Sequence, residues 1–212
     1  MNPRVDFRLY LVTDRHQTAG RSLLSVVAEA ARSGVRAVQL RERDLPTGPL
    51  LALAEALRQA MPATQLFLND RVDLALALGA AGVHLRESSL PTASVRRILS
   101  PQQVIGRSVH SLEGARQAER EGADFVVLGP IYETPSKRAY GEPLGLPVLE
   151  AAARRLQIPV FAIGGITAAR AREVRHAGAM GVAVLSAILG APDVEAATCE
   201  LLTAVLLAAV EG

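Results

Sequence analysis

Eight times along the chain a short β-rich run is followed by a stretch with helical apolar spacing, and few folds absorb that order. The β-rich runs are residues 9–14, 37–42, 65–70, 82–86, 104–110, 124–131, 160–166 and 181–186. The helix-spaced stretches are 22–33, 49–61, 71–78, 92–99, 111–121, 146–156, 167–177 and 192–210. Ser22, Ser111 and Thr167 stand where N-caps belong, and Gly34, Gly122 and Gly178 stand where a left-handed residue closes a helix. A doubly wound open sheet shares this alternation, but it cradles its dinucleotide in a glycine-rich turn after the first strand. Here that turn reads Thr13-Asp14-Arg15-His16. Eight units instead specify α/β architecture closed as a single (β/α)8 TIM barrel, one domain over residues 1–212, at the short end of that fold's range. The strands do not alternate cleanly, as expected of a sheet covered on both faces.

Composition removes several classes of function. Half of the residues are hydrophobic (50%), enough for a sizeable core. Lys+Arg number 23 against 21 Asp+Glu, and aromatic residues make up 3%, so there is neither the charge nor the stacking surface for nucleic acid. Cys199 stands alone, which excludes a disulfide framework or a cysteine zinc site. The most apolar stretch, residues 201–210, is about half of what a bilayer span needs, so no membrane role is expected. Residues 1–8 carry charges and no apolar signal core; the expected location is the cytoplasm.

Barrels of this kind place chemistry at the C-terminal ends of their strands. At the end of the second strand, Gln39, Arg41 and Arg43 share a face by the period-2 rule and suit an anion or phosphate, or alternatively rim salt bridges. Asn69 and Asp70 end the third strand; Asp70 either binds Mg2+ or caps the next helix. His84 and Glu87 stand at the end of the fourth, as acid–base candidates or as a structural histidine and a loop carboxylate. Ser108 and His110 share a face at the end of the fifth. No nucleophile elbow surrounds the serine, so substrate hydrogen bonding is the expected role. The longest irregular link follows the sixth strand and carries Glu133, Thr134, Ser136 and Lys137, with the donors a phosphate needs. Gly164 and Gly165 after the seventh strand, and Ser186 after the eighth, occupy the usual phosphate sector of a barrel.

The ordered set QLRERD, LFLNDR, GVHL, IGRSVHSLE, ADFVVLGP, ETPSK, AIGGIT and GVAVLSAI resembles the thiamine phosphate synthase/TenI family over roughly residues 9–188. The resemblance implies a TIM barrel, cytoplasmic thiamine metabolism, a thiazole phosphate or thiamine phosphate ligand, and a homodimer. Two activities are found in that family. The synthase joins hydroxymethylpyrimidine diphosphate to a thiazole phosphate, releases diphosphate and uses Mg2+ held by two aspartates. The TenI branch contains tautomerases that aromatise a thiazole carboxylate phosphate without metal.

The resemblance implies diphosphate contacts from Gln39, Arg41 and Arg43, with Arg43 replacing a lysine. It also implies one metal ligand in the Asn69-Asp70 pair, a substrate-contacting Ser108, a phosphate loop of Thr134, Ser136 and Lys137, and a phosphate cradle of Gly164, Gly165 and Ser186. The synthase segment GVHLGQxD reads GVHLRESS here, which places Ser89 at the second metal aspartate and Arg86 at a glycine. Arg86 and Arg43 add positive charge there without templating a metal. The tautomerase segment GHVFET reads GPIYET, with Pro130 at the proton-shuttling histidine. The expectation is therefore a TenI-like tautomerase, cofactor-free, with His110 as proton shuttle and Glu133 and His84 as further candidates. The alternatives are a divergent synthase using Asp70 and substrate phosphates to hold Mg2+, and a non-catalytic thiamine-phosphate binding or regulatory protein.

Overall fold

The computed structural model describes residues 3–134 and 142–207. Eight parallel strands close into a barrel in the order β1-β2-β3-β4-β5-β6-β7-β8, with β1 hydrogen-bonded to both β2 and β8. They are β1 (Leu9–Val12), β2 (Ala37–Leu40), β3 (Gln65–Asn69), β4 (Gly82–Leu85), β5 (Val104–Val109), β6 (Phe125–Leu128), β7 (Val160–Ile163) and β8 (Gly181–Val184). The helices are α1 (Leu23–Arg32), α2 (Thr47–Ala60), α3 (Val72–Leu78), α4 (Thr92–Arg96), α5 (Leu112–Arg120), α6 (Gly145–Arg155), α7 (Ala168–His176), α8 (Ser186–Leu189) and α9 (Val194–Leu207). This is the (β/α)8 barrel that the alternation predicts.

Each strand starts within one residue of its expected position, and the local signals explain most boundaries. Ser111 and Thr167 accept hydrogen bonds from the backbone N–H of Gly114 and Arg170. Ser22 occupies the N-cap position of α1 but makes no side-chain cap bond, so its expected role reduces to its extended backbone. Leu23, Val26, Val27 and Ala30 of α1 are buried at the 3–4 spacing of one helical face.

Two cores result. One fills the space between barrel and helices. The other fills the barrel interior with Phe7, Tyr10, Phe67, Phe125 and Phe161, whose rings pack stacked or edge-on. Phe7 precedes β1, so it plugs the N-terminal end and leaves the polar C-terminal ends of the strands to line an open mouth. Among the described residues, no helix is long and apolar enough to cross a membrane.

Candidate functional site

A cavity of about 820 Å³ opens at the C-terminal end of the barrel. It brings together Gln39, Arg41 and Arg43 from the β2 end, and Asn69 and His84 from β3 and β4. Ser108 and His110 come from β5, Thr134 from the loop after β6, and Gly164, Gly165 and Ser186 from the β7 and β8 ends. Glu133 is exposed, and neither it nor Asp70 is among the lining residues. Ser136 and Lys137 lie outside the described residues. A second depression of about 610 Å³ lies at the other end of the barrel, beside Arg58 and the start of β3 at Gln65, away from the polar strand ends.

Alternation sets the β2 sector. Glu42 is buried on the face opposite the cavity, its side chain 1% exposed, and accepts hydrogen bonds from Thr13 Oγ1 at 2.6 Å and the backbone N–H of Arg15 at 3.1 Å. Thr13 Oγ1 in turn accepts from the backbone N–H of Arg41 at 2.9 Å. With Glu42 pinned, its neighbours Arg41 and Arg43 turn to the cavity. Burial, then the like charge of Arg43, lowers the pKa of Arg41, while Asp14 and Glu42 act weakly the other way. No salt bridge ties Arg41 or Arg43 to a carboxylate among the described residues. Rim salt bridges therefore do not account for this pair. Asp14 also lines the wall, but its carboxylate accepts from the backbone N–H of His16 and from Gln17 Nε2.

The β4–β5 sector is a buried relay. Tyr10 Oη lies 3.3 Å from His84 Nδ1, and His84 Nε2 lies 2.9 Å from Ser108 Oγ. Burial pushes the His84 pKa down to about 3, with Arg107 and Arg41 adding to the fall and Asp70 opposing it. His84 is therefore a neutral imidazole with both nitrogens engaged, suited to orienting Ser108. His110 is exposed at the mouth. Its Nδ1 bonds the carbonyl of Gly129, and its Nε2 lies 4.0 Å from Glu87 Oε2.

Asp70 does not cap α3, whose N-cap position falls to Arg71 with no side-chain bond. Its carboxylate reaches across to the loop after β4. Oδ1 accepts from the backbone N–H of Arg86 at 3.1 Å and from the Ser89 hydroxyl. Oδ2 bonds Arg86 Nε and lies 3.4 Å from Asn69 Nδ2. Asn69 Oδ1 accepts from Gln39 Nε2 at 2.9 Å, which links this corner to the β2 sector.

These residues do not fit a resident Mg2+. The ion prefers anionic oxygens in octahedral order. The lone pairs of Asp70 already meet four donors, and its neighbour Ser89 brings a hydroxyl where a second carboxylate would be needed. Among the described residues, no group of three or more His, Cys, Asp or Glu could hold a metal.

The β7–β8 sector is shaped by backbone. Gly164 and Gly165 have φ of +97° and +66°. A Cβ on Gly164 would stand 2.6 Å from Pro130 Cβ, and one on Gly165 would stand 2.8 Å from the Glu133 carbonyl oxygen. Only glycine fits this turn. Arg170 Nη1 donates to the Gly165 carbonyl at 2.7 Å, and Arg170 Cζ lies 4.5 Å from the centroid of the Tyr132 ring, which holds the turn from behind.

Fold and mouth together define a (β/α)8 barrel with cationic and glycine-rich sectors on one cavity. The family model for thiamine monophosphate synthase matches residues 9–188, and the chain belongs to that family of thiamine-biosynthesis enzymes. A Geobacter sulfurreducens relative is 53% identical over 192 residues, 90% of each chain. Thiamine-phosphate synthase of Roseiflexus castenholzii is 48% identical over 195 residues, covering 90% of this chain and 84% of its own. The structure of thiamine phosphate pyrophosphorylase from Pyrococcus furiosus superposes with a TM-score of 0.88 at 38% identity, covering 98% and 99% of the two chains.

Strand-end position in the sequence pointed to most of the polar lining residues. It gave no sign of Tyr10, whose hydroxyl meets His84 beneath the cavity, nor of the pairing between Asp70 and Arg86.

Proposed function

We propose that the chain is a thiamine-phosphate synthase, joining hydroxymethylpyrimidine diphosphate to a thiazole phosphate with release of diphosphate. This reverses the sequence-based preference for a tautomerase, because the relatives above carry the synthase or pyrophosphorylase name. The observation that carries the reading is that one cavity has two anion-suited sectors. Arg41 and Arg43 lack carboxylate partners among the described residues, and Gly164, Gly165 and Ser186 lie in a different sector of the mouth. A condensation that consumes a diphosphate and a phosphate ester needs two such places.

In this reaction a bond forms between the thiazole nitrogen and the exocyclic methylene carbon of the pyrimidine. The bond from that carbon to the diphosphate oxygen breaks, and its electron pair leaves with diphosphate. No general base is required. Arg41 and Arg43 neutralise the charge that develops on the leaving group. Ser108, oriented by His84, hydrogen-bonds the pyrimidine, and the glycine turn holds the thiazole phosphate. Residues 1–212 act as one barrel domain in this reading.

His110 supports a second reading. Its position at the mouth, with Nδ1 on a carbonyl, leaves Nε2 available to a proton, as a thiazole tautomerase would need. Phosphorus and proton NMR with both substrates decides between them. Formation of thiamine phosphate establishes the synthase. Tautomer conversion without the pyrimidine, lost in His110→Ala, replaces it with the tautomerase. Ligand shifts without either product indicate a binding protein.

A further inference from the structure

We propose that Asp70 holds an arginine in place of a metal ion, and that Arg86, so held, completes with Arg41 and Arg43 a clamp that binds diphosphate without a divalent cation. The identity of the anion rests on the synthase reading; the clamp itself rests on the geometry.

The two oxygens of Asp70 meet four donors: the Arg86 backbone N–H at 3.1 Å, the Ser89 hydroxyl, Arg86 Nε and, at 3.4 Å, Asn69 Nδ2. That uses the acceptor capacity of a carboxylate. A cation here would have to displace Arg86 and strip two hydrogen bonds that fix the loop. Ser89 Oγ also accepts from the Arg86 backbone N–H at 2.9 Å, so the serine closes the turn that presents the arginine. An aspartate at position 89 would set a second carboxylate beside Asp70 and restore the paired anionic oxygens that a divalent cation prefers.

Asp70 engages Arg86 through Nε, the inner corner of the guanidinium. The contact leaves the Nη1–Nη2 end of the fork unclaimed by Asp70, the side chain is 47% exposed, and Arg86 lines the cavity. This is the geometry of a guanidinium anchored at one edge and offered at the other, and it suits the planar, bidentate recognition of phosphate oxygens. Arg86 is close enough to Arg41 to depress its pKa, as does Arg43. Asp70 pairs with Arg86, while Arg41 and Arg43 have no salt bridge among the described residues, so the wall keeps an excess of positive charge that an anion would complement. A diphosphate, with several anionic oxygens, matches the set.

Titration calorimetry of inorganic diphosphate into the whole protein, once in EDTA and once with Mg2+, tests the clamp. The expected affinities agree within about threefold. Arg86→Gln is expected to weaken binding in EDTA by roughly tenfold, the value of one charge-assisted contact. Ser89→Asp is expected to make binding Mg2+-dependent. Diphosphate binding by the unaltered protein only with Mg2+, or no binding in either buffer, overturns the proposal. So does one equivalent of Mn2+ bound without diphosphate, seen by electron paramagnetic resonance and lost in Asp70→Asn. If diphosphate binds in EDTA but no thiamine phosphate forms from the two substrates, the clamp stands and the synthase reading falls.

Discussion

His84 Nε2 lies 2.9 Å from Ser108 Oγ, and the other ring nitrogen lies 3.3 Å from the hydroxyl of Tyr10. Tyr10 is wholly buried among phenylalanine rings. A buried hydroxyl proton without an acceptor costs about 1–3 kcal/mol, so Tyr10 donates to Nδ1. The ring proton then sits on Nε2 and is donated to Ser108, which frees the serine O–H to donate into the cavity.

Burial lowers the folded-state pKa of His84 from 6.5 to about 3. Between those values the unfolded chain binds a proton that the folded chain refuses. Stability is therefore complete above the unfolded value and is lost as pH falls through this window. Urea midpoints measured against pH should drop on the acid side for the unaltered protein and drop less for His84→Gln. Nitrogen NMR should find the proton on Nε2. Equal acid slopes for the two proteins, or a proton on Nδ1, would contradict the relay.

Arg41 is a half-buried cation with no salt-bridge partner among the described residues, which is costly unless a ligand compensates it. Burial and Arg43 both push its pKa down. Arg41→Met should leave the folded protein as stable or raise its stability by about 0.5–2 kcal/mol. Diphosphate affinity should fall roughly tenfold. Calorimetric melting with and without diphosphate measures both, and a large loss of stability with unchanged binding would assign Arg41 to the fold instead.

Gly164 and Gly165 carry φ of +97° and +66°, and an added Cβ would meet neighbouring atoms at 2.6 Å and 2.8 Å. Gly165→Ala should cost about 1–3 kcal/mol and weaken inorganic phosphate binding, because the turn must shift. Gly20 is the control. Its φ is +80°, but a Cβ there meets nothing within 4 Å. Gly20→Ala should cost about 1 kcal/mol and leave phosphate titrations unchanged.

The strands were legible because a parallel barrel strand is a short apolar run whose start is a sharp local event. Their ends were read too long. The expected run 181–186 stops at Val184, and Ser186 opens α8, whose four residues are too few for a helical period to register. Arg41 and Arg43 were legible as cavity residues because alternation continues past the last ladder bond of β2. Asp70 was not. Capping is a local reading, whereas its partner Arg86 lies sixteen residues away across two strand ends. Tyr10 and His84 are separated by 74 residues, and only closure of the barrel sets them against each other.

Aromatic residues are scarce at 3%, yet all four phenylalanines and Tyr10 meet inside the barrel. The ring of Phe7 lies 5.1 Å from Phe161, 5.6 Å from Phe125 and 5.9 Å from Phe67. The segment before β1 is thus a stopper for the end opposite the cavity, with Phe7 and Val5 buried in the barrel interior and Asp6 paired with Arg36. Phe7→Ala should cost about 3–5 kcal/mol, since rings on opposite walls cannot collapse together across a closed barrel. Phe7→Leu should cost less than about 1.5 kcal/mol. Because Phe7 touches none of the strand ends that line the mouth, both variants should bind inorganic phosphate as the unaltered protein does at temperatures where they are folded. Denaturant unfolding paired with phosphate titration checks this. Weakened phosphate binding in folded Phe7→Leu would show that the stopper also sets the shape of the site.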